Sequence, residues 1–154
     1  MMWVCRPGQQ GKYYDLFMEQ SRIYLAWDGY RQDLSCMKTR EEFKALVIAE
    51  KNPDARTTIS NWSGQLYSFC VEMQIGDYVL IPSRSSRTYA LAKITGEYHY
   101  EEGAKLPHCR TVVIIRKDMP RSAFEQSTQY SLGAFRTVFK VKQEKEILLR
   151  SETV

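Results

Sequence analysis

Residues 60–100, SNWSGQLYSFCVEMQIGDYVLIPSRSSRTYALAKITGEYHY, contain the change from helix to sheet that decides the fold. Their first part repeats apolar side chains at helical spacing, which predicts a helix that starts near residue 54 or 55 and ends at Met73. Gly76-Asp77 then breaks the chain. After this break the pattern predicts two strands, at 78–83 and 88–100. The polar loop between them, SRSSR, predicts a hairpin with a basic tip.

The segments on both sides extend this mixture of helices and strands. Thr39-Arg40-Glu41-Glu42 matches a capping box, so a helix is predicted to begin there and to end near Asn52-Pro53. Other strands are predicted at 2–6, 23–27, 110–116 and 135–141, a helix at 13–20, a turn or short helix within 119–133, and a final helix or linker from 142. Because strands and helices do not alternate regularly, the sequence predicts an α+β fold with a mainly antiparallel, curled sheet flanked by helices.

The composition is that of one globular domain. The chain has 154 residues, of which 44% are hydrophobic and 26% charged. It has no apolar run of the roughly 18 residues that suggest a membrane span. The net charge of +4 is compatible with an anionic partner but does not require one. Four scattered cysteines without a CxxC pair, and no signal peptide, predict a soluble protein of the reducing cytoplasm.

The sequence lacks the common catalytic and metal-binding motifs. It has no GxGxxG, GxxxxGK[ST], HExxH or GxSxG pattern, and no suitably placed carboxylates with the Glu-x-Lys of a metal-dependent nuclease. His99, His108 and Cys109 do not have the paired spacing of a structural zinc site, so both histidines are predicted to lie on the surface. We therefore expect a non-catalytic protein without a cofactor or a metal.

Aromatic and basic residues are the remaining candidates for function. Trp27 ends a predicted strand and enters a loop, a place where side chains often line a cleft. Trp62 lies on the apolar stripe of the predicted helix and fits either a core position or a pocket wall. The loop at 83–87 offers hydroxyls and two guanidinium groups for phosphate contacts, or it is a solvated turn. The residues alone leave both pairs of alternatives open.

Several short segments, taken in order, carry a resemblance that covers nearly the whole chain. They are Met2-Trp3-Val4-Cys5-Arg6, Thr39-Arg40-Glu41-Glu42, Asn61-Trp62-Ser63-Gly64-Gln65-Leu66, Gly76-Asp77-Tyr78-Val79, Ala92-Lys93-Ile94-Thr95-Gly96-Glu97-Tyr98 and Ser131-Leu132-Gly133. With them the chain resembles the EVE-type branch of the PUA-like superfamily, close to the amino-terminal domain of Mrr-type modification-dependent restriction endonucleases. The resemblance implies a curled antiparallel pseudo-barrel flanked by helices over residues 1–141, with 142–154 as a C-terminal helix or the start of a linker.

The resemblance also implies a reader of modified bases. The expected partner is double-stranded DNA whose 5-methylcytosine or 5-hydroxymethylcytosine is flipped into an aromatic pocket. The implied pocket residues are Trp27, Trp62, Ser63, Ser83 and Tyr98. The implied contacts to the nucleic-acid backbone are Arg84, Ser85, Ser86, Arg87 and Lys93. Cutting would belong to a nuclease domain or subunit, as in a prokaryotic restriction or defence system.

Two alternatives use the same fold. The related YTH domains read modified RNA, and their Trp-Ser pair and Ser-rich strand exit are similar to Trp62-Ser63 and to residues 83–86 here. In the second alternative, a protein-interaction or small-ligand sensing domain has kept the fold and lost nucleic-acid binding. In that second case, substituting Arg84 and Arg87 by glutamate would leave DNA titrations unchanged. Competition between matched modified RNA and DNA oligonucleotides distinguishes an RNA reader from a DNA reader.

Overall fold

Strands and helices mix along the chain in the computed structural model, which describes residues 1–153. The strands are β1 (Met2–Cys5), β2 (Arg22–Tyr24), β3 (Tyr78–Ser83), β4 (Thr88–Ile94), β5 (His99–Tyr100), β6 (His108–Pro120) and β7 (Val138–Val141). The α-helices are α1 (Tyr14–Gln20), α2 (Arg40–Glu50), α3 (Arg56–Tyr67), α4 (Gln126–Leu132) and α5 (Glu144–Thr153). The predicted α+β class is therefore confirmed.

One seven-stranded sheet organises the fold. Its order is β2-β6-β4-β3-β1-β7, and β5 also pairs with β6. Adjacent strands are antiparallel except for β1 and β3, which run parallel. The two ends of the order do not pair, so the sheet stays open, yet the Cys5 thiol of β1 lies 3.5 Å from the Tyr24 carbonyl of β2. A contact between strands so far apart in the order requires that the sheet curl strongly.

The curl comes from β6, whose two halves pair with different strands. Its second half pairs with β4 and its first half with β2 and β5. The register shifts twice along the β4–β6 pair, and Asp118 has a φ of 61°, as expected where bulges bend and twist a strand. The predicted strand 88–100 is interrupted at Gly96, where a Cβ would lie 2.2 Å from the Thr111 hydroxyl. Glycine thus permits the close crossing of the β4–β5 connection over β6.

Each face of the sheet buries its own apolar cluster, because side chains alternate along each strand. The main cluster contains Trp3, Val79 and Ala92 and packs under α1, α2 and α3. The second contains Val4 and Leu80, and it includes Ile147 of α5, which is fully buried. Helices therefore cover both faces, with α3 and α5 on opposite sides.

Of two predicted helices, one begins as the local sequence pattern predicted and the other ends differently. The capping box is confirmed: Thr39 Oγ1 accepts from the Glu42 N–H at 3.2 Å, and the Glu42 carboxylate accepts from the Thr39 N–H at 3.2 Å. The helix predicted up to Met73 instead ends as an α-helix at Tyr67 and continues as a π-helical turn, Ser68–Glu72. Apolar periodicity does not distinguish these two hydrogen-bonding patterns over so short a segment.

Candidate nucleic-acid interface

Four connecting segments meet at one end of the sheet, where β1 and β3 end and β4 and β7 begin. We call this surface the loop end; it comprises residues 6–13, 83–88, 121–123 and 134–137. Arg6 Nε donates to the Arg136 carbonyl at 2.9 Å, and Arg121 N–H donates to the Arg87 carbonyl at 3.1 Å. A Cβ on Gly11 would lie 3.6 Å from Arg84 Cβ. The loop end contains six cationic residues and no acidic ones: Arg6, Lys12, Arg84, Arg87, Arg121 and Arg136.

Trp27 is joined to the loop end by a direct hydrogen bond. Its indole Nε1–H donates to Thr137 Oγ1 at 2.9 Å, although 110 residues separate the two along the chain. The half-buried Trp27 ring lies 6.1 Å from the buried Tyr30 ring, centroid to centroid. The sequence-based placement of Trp27 beside a cleft is therefore compatible with its position, because one part of the indole packs and another remains accessible.

Helix α3 approaches the loop end through Gln65. The Gln65 side-chain oxygen accepts from the backbone N–H groups of Thr137 and Val138 at 2.9 and 3.0 Å. Trp62, one turn earlier, is half-buried and packs against the main cluster. The Ser63 hydroxyl is buried and donates to the Ser60 carbonyl of its own helix at 3.3 Å. Ser63 thus has its hydroxyl proton engaged within α3.

The β3–β4 hairpin forms as predicted, but its polar side chains separate into groups. Ser83 is buried and accepts a hydrogen bond from Ser86 Oγ at 2.8 Å. The tip residues are exposed: Arg84, Ser85, Ser86 and Arg87. Lys93 pairs with Tyr78 at the other end of the hairpin, five residue steps from the Ser83–Thr88 pair and so roughly 17 Å away. The structure therefore does not group Lys93 with the loop.

Tyr98 is half-buried and lies in a hydrogen-bond chain with His108. The Tyr98 hydroxyl is 2.6 Å from His108 Nδ1 and accepts from the Leu34 N–H at 3.2 Å. His108 Nε2 is 2.6 Å from the Tyr30 carbonyl, which can only accept, so Nε2 carries the proton and Nδ1 accepts from the Tyr98 hydroxyl. The prediction that His108 lies on the surface is wrong, since it is 1% exposed, whereas His99 is exposed as predicted.

Tyr30 connects this chain to Trp27, through its ring on one side and its carbonyl on the other. Within residues 1–153 its buried hydroxyl has no hydrogen-bond partner. A buried hydroxyl without a hydrogen-bond partner lowers the stability of the fold by about 1–3 kcal/mol. The sequence-based reasoning missed both Tyr30 and His108, because nothing in their local pattern distinguishes a buried from an exposed loop side chain.

A second feature that the sequence did not reveal is a cleft of about 760 Å³ between α3 and β7. The charged side chains that line it are Arg40, Arg56, Glu72, Arg136 and Lys140. Arg136 also belongs to the loop end, so the cleft opens directly beside it. No cluster of three metal-ligating side chains occurs in the described part of the chain. None of the helices up to residue 153 combines the length and apolar character that a bilayer crossing demands.

The buried position of His108 predicts a pH-dependent stability. Desolvation lowers the pKa of His108, so the unfolded chain binds a proton below about pH 6.5 that the folded protein does not. The free energy of unfolding should be unaffected above this pH and fall below it, by at most about 1.4 kcal/mol per pH unit. Urea titrations between pH 7 and pH 5 measure this slope, which His108→Gln should reduce and the exposed-site control His99→Gln should retain. An unchanged slope in His108→Gln would contradict the assignment.

The comparisons with known proteins identify one family for the chain. No curated protein matches its sequence. A family model described as a domain of unknown function, DUF8426, matches residues 3–142, which includes every strand except the first residue of β1, and ends before α5. The chain therefore belongs to the DUF8426 family.

Proposed function

We propose that the chain is a non-catalytic reader that binds double-stranded DNA and holds one modified cytosine, 5-methylcytosine or 5-hydroxymethylcytosine, outside the base stack. In this proposal the domain is PUA-like and supplies the specificity of a restriction or defence system. The contact between Cys5 and Tyr24 across the curled sheet supports the barrel-like form that the proposal needs.

The observation that carries the proposal is the hydrogen bond that joins Trp27 to the cationic loop end. A half-buried indole is hydrogen-bonded to a loop end with six cationic residues and no carboxylate, while the exposed Asp28 directly follows Trp27 in the chain. Extracting a base from a duplex costs a few kcal/mol, and stacking on an aromatic ring returns roughly 1–3 kcal/mol per base. The guanidinium groups of the loop end offer phosphate contacts for the two flanking nucleotides. Ring and cations thus occur together where a flipped nucleotide needs both.

The remaining pocket residues take different roles in the proposal. The Tyr30 ring packs beside the Trp27 indole, and Tyr98 with His108 fixes the loop that carries Tyr30. Trp62 is a second candidate wall, on the helix whose Gln65 accepts from the backbone of Thr137, the residue that also binds Trp27. Ser63 and Ser83 use their hydroxyls in internal hydrogen bonds, so we assign them to shaping the site.

The backbone contacts in the proposal come from the hairpin tip. Arg84, Ser85, Ser86 and Arg87 are exposed and belong to the loop end. Lys93 contacts a different surface, where its ammonium lies 5.4 Å from the Tyr78 ring centroid. The slope of log affinity against log salt is negative for duplex DNA, and each lost phosphate contact makes it less steep by about 0.9. Arg84→Gln and Arg87→Gln should each make this slope less steep, whereas Lys93→Gln should not.

A fluorescence-anisotropy titration at fixed moderate salt tests the proposal. One short duplex is prepared with cytosine, 5-methylcytosine, 5-hydroxymethylcytosine or N6-methyladenine at its centre. We expect one modified-cytosine duplex to bind about fivefold or more tightly than the unmodified one, a difference of roughly 1 kcal/mol. A preference for N6-methyladenine would support a reader of modified DNA but would change the base that it recognises.

The other outcomes of the same titration overturn the proposal in distinct ways. Equal binding of all four duplexes would reduce the loop end to a non-specific cationic surface. Tighter binding of a matched modified RNA in competition would assign the pocket to RNA. No binding of any duplex would favour a protein-interaction or small-ligand domain.

A further inference from the structure

Beyond the pocket, the cleft between α3 and β7 has the chemistry of a nucleic-acid channel. Four cationic side chains and a single carboxylate line it, so the cleft alone has a net charge of +3, out of +4 for the chain. Glu72 lies 3.7 Å from Arg40 and 3.3 Å from Lys140. Across residues 1–153, Arg56 and Arg136 form no salt bridge. Two guanidinium groups are therefore available to an anionic ligand.

The cleft wall formed by α3 is polar and open. Thr57, Ser60 and Asn61 line it, and side chains of these types commonly donate to phosphate oxygens. Gly64 lies among them, and a Cβ added there would meet nothing within 4 Å. Packing within the chain does not require this glycine, which costs the helix about 0.5–1 kcal/mol relative to alanine. The missing side chain leaves room for a ligand to approach the α3 backbone.

An exposed aromatic side chain directly precedes the cleft residue Arg136 in the chain. Phe135 is fully exposed and is the chain neighbour of Arg136, which lines the cleft. The loop that carries it is firmly held: the Arg6 guanidinium donates to the carbonyls of Leu132, Ala134 and Arg136 at 2.8 to 2.9 Å. Gln65 and Trp27 hold Thr137 from the other side. The exposure of Phe135 therefore comes from a fixed loop, and an exposed ring on a fixed loop can stack with low entropy cost.

We propose that this cleft binds a single nucleic-acid strand, with Arg56 and Arg136 on successive phosphates and Phe135 stacked on a base. A cationic groove that follows the backbone, together with an aromatic platform, is the arrangement by which single strands are bound without sequence preference. Thr137 joins the two regions, since it accepts from Trp27 and directly follows Arg136. The choice of DNA for this strand rests on the proposed function, in which the same chain binds DNA.

The test uses the full chain and a fluorescein-labelled oligodeoxythymidine of about 12 nucleotides, within the usual range of single-strand sites. Arg56→Gln and Arg136→Gln should each weaken binding about fivefold. Each should also make the fall of log affinity with log salt less steep, by about 0.7. Phe135→Ala should weaken binding about tenfold, and Phe135→Tyr should not. The matched controls lie on α5, on the other side of the sheet: Arg150→Gln and Leu149→Ala, both exposed, should bind as the unmodified sequence does.

Gly64 gives the sharpest comparison, because the expected effects on stability and on binding differ. Gly64→Ala should raise the melting temperature slightly and keep the affinity within about twofold, since the methyl group meets no neighbour. Gly64→Leu should fold as well and weaken oligonucleotide binding about tenfold, because its side chain enters the cleft. Unchanged binding in Gly64→Leu and Arg56→Gln would overturn the inference, and so would equally strong displacement of the oligonucleotide by polyglutamate.

The two proposals can fail separately. If modified and unmodified duplexes bind equally while the cleft variants lose the single strand, the reader proposal fails and the cleft assignment stands. If the cleft variants bind the single strand normally while the duplex preference persists, the cleft assignment fails alone.

Discussion

Replacing Trp27 with alanine is expected to reduce the preference for a modified duplex from about fivefold or more to about twofold or less. The indole supplies the stacking surface that offsets base extraction, and stacking contributes roughly 1–3 kcal/mol per base. Affinity for the unmodified duplex should change little, because the loop-end cations provide most of it. The measurement is the paired anisotropy titration, with circular dichroism to show that the variant is folded.

Two further variants separate stacking from positioning. Trp27→Phe keeps a ring and should retain most of the preference. Thr137→Val keeps the shape of residue 137 and removes the acceptor of the indole N–H. If Thr137→Val alone abolishes the preference, Trp27 acts by holding the loop and the stacking role is wrong. A folded Trp27→Ala that still discriminates would remove Trp27 from the pocket altogether.

The same titration on Trp62→Ala decides between its two roles. Trp62 is half-buried against the main cluster, a position that suits a core residue and a pocket wall equally. Loss of the modified-base preference in a folded variant would make it a wall. Retained preference with a lowered free energy of unfolding would assign it to the core.

Replacing Arg110 with alanine is expected to lower the free energy of unfolding by about 3–4 kcal/mol. Arg110 is 3% exposed, and its guanidinium donates to the carbonyls of Phe69, Met73 and Gly96 at 2.7 to 3.1 Å. Alanine leaves these buried acceptors without donors, and each such group costs about 1–3 kcal/mol, partly offset because no charge remains buried. Urea unfolding followed by tryptophan fluorescence measures the difference.

Arg116 provides the matched control on the same strand. It is only partly buried and donates to one carbonyl, that of Ser151. Arg116→Ala should therefore lower the free energy of unfolding by about 1 kcal/mol or less. Arg110→Lys should lower the free energy of unfolding by an amount between these two values, since an ammonium does not reproduce the fixed geometry of the guanidinium donors. If Arg110→Ala and Arg116→Ala lower the free energy of unfolding equally, the buried hydrogen bonds of Arg110 stabilise the fold no more than the single bond of Arg116.

Arg110 also accounts for an element that the periodicity did not predict. It donates to Phe69 within the π-helical turn and to Met73 immediately after it. These carbonyls thereby gain a donor at the point where the regular α-helical pattern ends. A sequence pattern locates the apolar stripe of this segment but not the buried arginine, which comes from β6, 37 residues further along.

The sequence by itself determined the features that depend on neighbouring residues. The α2 cap follows from a hydroxyl and a carboxylate three residues apart, and the β3–β4 hairpin from a turn between two alternating runs. Together with the other strand and helix patterns, they fixed the α+β class. The basic hairpin tip was likewise readable from local order, whereas the strand predicted to end at Trp27 ends at Tyr24.

Tertiary structure alone decided which of these residues meet. Trp27 with Thr137, Gln65 with Thr137, and Arg6 with Arg136 are contacts across 72 to 130 residues. They assemble the loop end and the cleft, bury His108 and place Lys93 away from the hairpin tip. The physical reason is that such contacts depend on the curl of the sheet, which long-range strand pairing and the bulges of β6 set together. Local periodicity carries no information about that curl.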